Sequence, residues 1–516
     1  MKQRYKMLQI GGENYASHFK DRDEVSWTSM PLDSLSDLEE LKKLVEEEEE
    51  EQFDFVFVQV PYSEMLMQAF RLVSQPYNTY VDQRFWNSFF EAEEVVRTRF
   101  IRCFSYDSEE DCIKRLMALA FSKQYGDRIH PIHCKVNPLF KGETYYEGRH
   151  QLVLKGNFGE TYTPILSWNM YLYYDRYKVN EIWLEYTSSP HVEVSYTLRL
   201  YENLNMDNLI REFVLEGERL IEPFAIPSMD KDAYIFVTAK AKGEGTLKVG
   251  NIHKRWSRME HGQFILGGQR WSSEDRGEFI HFFHPGDLKP PLNVYFSGYR
   301  TAEGFEGYYM MEKFKAPFLL ISDLRLEGGG FYLGNDAFEN QIKKVIQDTL
   351  EWLGFKEDEM IMSGLSMGSF GALYYGAQLN PAAIVVGKPL VNIGGIAENM
   401  RLMRPEDFGT ALDILLTNER GLDDEAIERL NQKFWTTLNQ NQIDQTLFAI
   451  SYMEHDDYDL YAFQNLLSAL SRQGARVMSR STPGRHNDDT PTITSWFSHF
   501  YFMIMESQFG RVRDER

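Results

Sequence analysis

The sequence predicts a multidomain α/β protein, and three observations carry that prediction. At 516 residues the chain exceeds the roughly 250–300 residues that one core usually organises, so more than one domain is expected. From Leu292 onward, short apolar runs alternate with helical stretches, the pattern of a parallel sheet. Between residues 151 and 270 short runs of period two are separated by Asn-, Gly- and Pro-containing turns, the pattern of a β-sandwich. The expected layout is an α/β scaffold domain at 1–150, a sandwich with a possible carbohydrate-facing surface at 151–270, and a parallel-sheet domain at 271–516.

Composition narrows the function classes. Apolar residues at 43% and aromatics at 14% supply real cores, so a disordered protein is excluded. A net charge of −22 leaves no basic field to condense on phosphates, which argues against nucleic acid as a partner. Cys103, Cys112 and Cys134 form no disulfide framework, and reduced thiols in a cytoplasmic protein are expected. His130 and His133 flank Cys134 at spacings that fit no zinc pattern, so neither metal nor cofactor is expected. The N-terminal stretch lacks a secretory signal pattern, and no window approaches the roughly 18 apolar residues of a membrane span. Membrane attachment is therefore expected only through a partner.

In the first unit, Lys6–Ile10 reads as a strand ending in Gly11-Gly12, and Phe53–Val60 reads as a second, buried one. A helix at Leu35–Leu44 runs into six glutamates, Glu46–Glu51, a solvated helix end. G-x-G-x-x-G is absent, so the unit reads as a Rossmann-like scaffold without a dinucleotide. Helices at about 85–97 and 109–122 follow, with Phe85, Trp86, Phe89 and Phe90 as core. The central strands are Gln151–Leu154, Ile182–Tyr186, Val192–Tyr201, Ala233–Ala239 and Thr246–Val249. Trp168, Tyr171, Tyr173, Tyr174 and Trp183 could present a sugar-facing surface, although packing is the commoner use of such residues. In the last unit the strands are Asn293–Phe296, Phe318–Ser322, Met360–Met362, Ala383–Val386, Thr446–Tyr452 and Arg476–Arg480. A helix spans about 338–353, and a helical insertion at about 396–440 is expected over the strand ends.

Chemistry concentrates at Gly364-Leu365-Ser366-Met367-Gly368. A serine between two glycines, after a strand and before a small-residue helix, is the nucleophile elbow of an α/β-hydrolase-like domain. A serine nucleophile needs a base and a carboxylate to orient that base, in the chain order serine, acid, histidine. The loop after Thr446–Tyr452 offers Asp456, with Glu454 and Asp457 as rivals; the loop after Arg476–Arg480 offers His486. His455 lies on the acid's loop and His499 in the last helix, so both read as structural. Two N–H donors are needed for an oxyanion. Met367 supplies the first, and Gly298 or Tyr299 is expected to supply the second.

The stretch Gly364–Ala372, with the loops Glu454–Asp459 and Gly484–Asp489, resembles the second of the "Asp" accessory secretion proteins. These belong to the accessory Sec system by which streptococci and staphylococci export serine-rich-repeat glycoprotein adhesins. The resemblance implies an α/β-hydrolase-like domain that O-acetylates N-acetylglucosamine on the adhesin. It also implies assembly with sister Asp proteins and the accessory Sec motor, in the cytoplasm at the inner face of the membrane. Two other readings stand beside it. One is a carbohydrate esterase, with water as acceptor; the other is a non-catalytic chaperone or assembly subunit on a hydrolase scaffold.

Overall fold

Three sheets organise the chain in its computed structural model, which describes residues 4–31, 52–403 and 411–512. The expected helix Leu35–Leu44 and the glutamate run Glu46–Glu51 lie outside the described residues. The first sheet is parallel, in the order β2-β1-β3-β4-β5. Its strands are β1 (Tyr5–Ile10), β2 (Val25–Met30), β3 (Phe55–Val58), β4 (Thr79–Asp82) and β5 (Arg102–Phe104). Every residue of β3 is buried, as an unbroken apolar run should be in a sheet covered on both faces. The polar β2, Val-Ser-Trp-Thr-Ser-Met, is buried only at its ends and has no hydrophobic pattern to read. The helix expected at 85–97 is two short ones, Ser88–Ala92 and Glu94–Thr98, because Glu93 between them is extended.

The second sheet has ten strands. They are β6 (Gly126–Ile129), β7 (Cys134–Val136), β8 (Glu143–Glu147), β9 (Gln151–Trp168), β10 (Leu172–Tyr174), β11 (Val179–Ser188), β12 (Val192–Glu202), β13 (Asn205–Glu216), β14 (Phe224–Ile226) and β15 (Ala233–Ser257). One continuous sheet stands where two separate ones were expected. The 25-residue β15 joins the two expected strands, pairing with β12 over Ala233–Gly243 and with β11 over Leu247–Ser257. Gly243 makes this passage possible: its φ is +94°, and a Cβ there would lie 1.8 Å from the His191 carbonyl oxygen. The pairing with β9 shifts register around it, so the glycine that reads as a turn is a bulge within a strand. Because β6, β7 and β8 pair into this sheet, the change of sheet falls near residue 125 rather than 150.

The third sheet carries β16 (Gln269–Ser272), β17 (Glu278–His284), β18 (Leu292–Phe296), β19 (Phe318–Asp323), β20 (Met360–Leu365), β21 (Ala383–Gly387), β22 (Leu447–Met453) and β23 (Arg476–Thr482). Their order is β16-β17-β19-β18-β20-β21-β22-β23, with β16 and β17 forming an antiparallel edge on parallel strands. Neighbouring residues on a strand face opposite sides. Phe296, Met362, Val386 and Ile450 thus join one core with the helices Asp336–Leu353 and Met367–Leu379. Tyr295, Ile361, Val385 and Ala449 join the other, with Phe497 and Tyr501 of the final helix, Thr490–Phe509. Between β21 and β22 lie the helices Ile393–Met403, Ala411–Glu419 and Asp424–Gln440. Their Ile414, Leu415, Leu430, Phe434 and Leu438 belong to the first core, so this insertion is a packed wall. No helix among the described residues is long and apolar enough to cross a membrane.

A buried ion network joins the second and third sheets. Arg255 of β15 donates from Nε to Glu303 at 2.6 Å and from Nη1 to Glu278 of β17 at 3.1 Å, all three side chains being fully buried. Arg270 reaches Glu278 at 2.6 Å, Arg128 reaches Glu303 at 3.2 Å, and His253 bridges Glu185 and Glu303. Burial alone would raise the Glu278 carboxyl, but Arg255 and Arg270 outweigh it and hold the group at about 2; Glu303 is likewise held well down, mainly by Arg255. His253 is raised by the two glutamates against the effect of burial.

Removing one member of such a network strands a buried charge. Arg255→Leu should lower unfolding stability by about 3–5 kcal/mol in a denaturant titration. The wild-type glutamate contribution should be complete above the ordinary carboxylate pKa of about 4.3. It should be lost as pH falls towards the folded value of about 2 for Glu278. The His253 contribution should be full below about pH 6.5 and fade as pH rises through its elevated folded pKa.

Candidate active site

The strand β20 ends in Gly364-Leu365, and the helix Met367–Leu379 begins one residue after Ser366. To make that turn Ser366 adopts φ 53° and ψ −121°, a conformation that costs an L-residue free energy. The surroundings impose it. Ser366 N–H donates to Gly387 O of β21 at 2.9 Å. The Ser369 hydroxyl donates back to Ser366 O at 2.5 Å and accepts from Leu390 N at 3.0 Å. A Cβ on Gly364 would lie 2.2 Å from Gly368 O, and one on Gly368 would lie 2.0 Å from Phe296 O of β18. Both glycines are therefore required by close backbone approach.

His486 and Asp456 converge on this serine. His486, on the loop after β23, has Nε2 2.8 Å from Ser366 Oγ and Nδ1 2.8 Å from Asp456 Oδ2. The histidine is 1% exposed and the aspartate 8%, whereas Ser366 is half-buried. Asp456 Oδ1 accepts the Tyr458 N–H at 2.9 Å, and Asp457 Oδ1 accepts the backbone N–H of His486 at 3.1 Å. In the imidazole tautomer that donates from Nδ1 to the Asp456 carboxyl, Nε2 faces the Ser366 hydroxyl as an acceptor. Of the three candidate acids the structure puts Asp456 on the imidazole; Glu454 and His455 are exposed, with backbone N–H groups on Thr482 O and Gly484 O. Two supports escape sequence reasoning. The Tyr458 ring stacks on the imidazole, centroids 4.1 Å apart and planes 3° from parallel. Asp459 accepts the backbone N–H groups of Val391 and Asn392, both at 2.8 Å. Burial raises the Asp459 carboxyl against the lowering by those donors.

The candidate oxyanion donors diverge. Met367 opens its helix, where an N–H has no intrahelical acceptor and the helix dipole favours negative charge. Gly298 is buried behind β18, but its N–H already donates to Glu306 Oε2 at 2.6 Å. The loop after Gly298 returns on itself and places a carboxylate where a free donor was expected. Tyr299 lies with its ring against Gly328, where a Cβ would fall 2.1 Å from it. Lys388, just past β21, is also at the site: it is buried, and its Nζ donates to Thr490 Oγ1 at 3.0 Å. Burial lowers its pKa, opposed by Asp456 and Glu306.

Elsewhere, the aromatic surface expected on the second sheet is divided. Trp168, Tyr174 and Trp183 are buried, while Tyr171 and Tyr173 are exposed. A cleft of about 940 Å³ lies between the second and third sheets, lined by Tyr186, Lys248, Asp275, Arg276 and Asn335 among others; the Ser366 cluster does not line it. No group of three or more His, Cys, Asp or Glu side chains among the described residues is placed to hold a metal ion.

Fold and site together define a mixed α/β, multidomain protein in which serine, histidine and aspartate meet at a strand-to-helix turn. The chain belongs to the family of the second Asp protein of the accessory Sec system, described as "Accessory Sec system GspB-transporter", whose sequence model matches residues 5–511. It is 52% identical over 517 residues to the second Asp protein of the accessory Sec system of Staphylococcus aureus (strain NCTC 8325 / PS 47), covering 99% of each chain. It is 37% identical to the corresponding Asp protein of Streptococcus gordonii, over 99% of this chain and 100% of that one. Among solved structures it resembles a chain of the Glycosylation Associate Protein (Gap123) complex from Streptococcus agalactiae. That likeness has a TM-score of 0.89 at 33% identity and covers 99% of this chain and 100% of that one.

The elbow geometry predicts that Gly368→Ala, which sets a Cβ 2.0 Å from a backbone oxygen, costs more than about 2 kcal/mol of stability. Denaturant unfolding measures this. A neutral result would mean that the elbow helix can shift away from β18.

Proposed function

We propose that this chain is a serine-nucleophile O-acetyltransferase of the accessory Sec system. It acetylates N-acetylglucosamine on serine-rich-repeat glycoprotein adhesins and supports their export. The observation that carries the chemistry is the relay Ser366–His486–Asp456, two contacts of 2.8 Å each. The sheet order, with the serine at the end of the fifth of eight strands and a second strand that runs antiparallel, supports an α/β-hydrolase-like catalytic unit. His486 Nε2 takes the Ser366 proton as Oγ attacks the acyl carbonyl, and returns it to the donor's leaving group. The sugar hydroxyl then gives its proton to His486 and attacks the acetyl-serine, so the acetyl group passes to the sugar and Ser366 is restored. Met367 N–H faces the oxyanion in both steps. The same relay with water as acceptor is a carbohydrate esterase, so exclusion of water decides between transfer and hydrolysis. A purely non-catalytic assembly subunit would have no use for the strained serine.

Membership of this accessory Sec family and similarity to a chain of the Gap123 complex support assembly with sister Asp proteins. Delivery to the accessory Sec motor would place the protein in the cytoplasm, held at the inner membrane face through its partners. Residues 1–270 lie outside the proposed catalytic unit, 271–516, and we assign to residues 1–150 the part without which the complex breaks.

Ser366→Ala and His486→Ala should each lower adhesin acetylation by on the order of a thousandfold or more, and the double variant should be little worse, since the residues act as a unit. Asp456→Asn should cost about 10⁴, through the wrong imidazole tautomer. Mass spectrometry of adhesin glycans reads all four, and unchanged acetylation in Ser366→Ala would sink the enzyme reading. Assembly uses surfaces of roughly 800 Å² per partner, which one hydroxyl does not touch. Ser366→Ala should therefore still capture the sister proteins and secrete under-acetylated adhesin, as pull-down and immunoblotting would register. Secretion abolished as fully as by deletion of the protein would refute this separation.

A further inference from the structure

We propose that Glu306 gates the oxyanion site: its carboxylate holds the Gly298 N–H in the resting protein, and acylation of Ser366 requires that it leave. This rests on the serine-nucleophile reading above. The contact is a charge-assisted hydrogen bond of 2.6 Å, a class stronger than its neutral counterpart. It sits beside the elbow, since a Cβ on Gly298 would lie 3.2 Å from Leu365 O and 3.5 Å from Glu306 Oε2. An oxyanion site works by aiming fixed donors at developing negative charge. A carboxylate on one such donor both occupies it and repels the charge to come, so the arrangement opposes acylation as it stands.

The same loop is fixed at the residues just before Glu306. Glu303 is fully buried and held by Arg255 at 2.6 Å and Arg128 at 3.2 Å. Phe305 is held through both backbone groups, its N–H donating to Gln124 Oε1 and its carbonyl accepting from Gln124 Nε2, each at 2.7 Å. Rotation of the Glu306 side chain therefore opens the site without moving the backbone that carries Gly298. A hydrogen bond to a charged group of this kind keeps the competent state at about one part in ten to one in a hundred. Acylation in the gated protein is slowed by the same factor.

The test is the rate at which diisopropyl fluorophosphate, whose phosphoryl oxygen needs the same donors, modifies full-length protein, followed by intact-protein mass spectrometry. Wild type, Glu306→Ala, Glu306→Gln and Ser366→Ala are compared, the last setting the background. Glu306→Ala should be modified on the order of tenfold faster than wild type or more. Glu306→Gln, which keeps an acceptor without the charge and nearly the same shape, should fall between and decides the matter if the alanine variant folds poorly. Wild type modified at Ser366 with both variants equal or slower overturns the gate and leaves the nucleophile standing. No modification at Ser366 in any form overturns the nucleophile, and the gate with it.

Discussion

The site depends on a close approach between two backbone segments. Gly368, at the start of the elbow helix, packs so near β18 that a methyl group would meet the Phe296 carbonyl at 2.0 Å, and Gly364 packs as tightly against Gly368. That contact forces Ser366 to φ 53° and leaves its hydroxyl at the end of the strand, half-exposed between sheet and solvent. It also fixes the start of the helix that Met367 opens. Gly371, one turn on, would put a Cβ 2.6 Å from the Phe296 ring, so the helix meets the strand along its first turns. Everything else at the site is placed relative to this seam. The loops after β22 and β23 emerge at the same sheet edge because those strands pair in register, Met453 opposite Thr482.

What the sequence discloses and what it hides follow from range. The elbow is local: steric demand at two glycines and a strand-to-helix change write themselves into the nine residues Gly364–Ala372. Asp456 and His486 are legible because parallel strands return the loops that follow them to one end of the sheet, so chain order substitutes for distance. The seam between the first and second sheets is misplaced for the opposite reason. The segments 126–147 join the second sheet through long-range pairing with β9 and β15, which no local pattern announces. Gly243 reads as a turn because sequence cannot distinguish a glycine that ends a strand from one that bulges within it. The Glu306–Gly298 contact spans eight residues of irregular loop and has no periodicity to betray it.

The ion network explains how a loop of this kind stays in place. Isolated charges would not be buried at this depth, but Glu303 and Glu278 each meet more than one cation, so desolvation is offset by several contacts at once. Strands β6, β11 and β15 of the second sheet, β16 and β17 of the third, and the loop after β18 all meet there. The second sheet therefore does more than lie beside the third, since Arg255 and His253 help to hold the segment between Gly298 and Gly307. Strain between the sheets would reach the Gly298 side of the elbow through Glu303, whereas the histidine side is anchored separately through Asp456 and Tyr458.

That division bears on transfer against hydrolysis. The histidine half of the relay is enclosed, His486 being 1% exposed beneath the stacked Tyr458 ring, whereas Ser366 itself is half-buried. An enzyme that passes an acyl group to a sugar must avoid forming the acyl-serine when no sugar is at hand, because water is always present at far higher concentration. Slow acylation in the resting state is one physical solution, and it needs an inhibitory contact at the site that a substrate can replace. None of Ile414, Leu415, Leu430, Phe434 and Leu438 of the helical insertion, all packed in the core, can supply such a contact. The Gly298–Gly307 loop can, since its backbone is pinned at Glu303 and Phe305 while the carboxylate of Glu306 remains half-buried at the rim of the site.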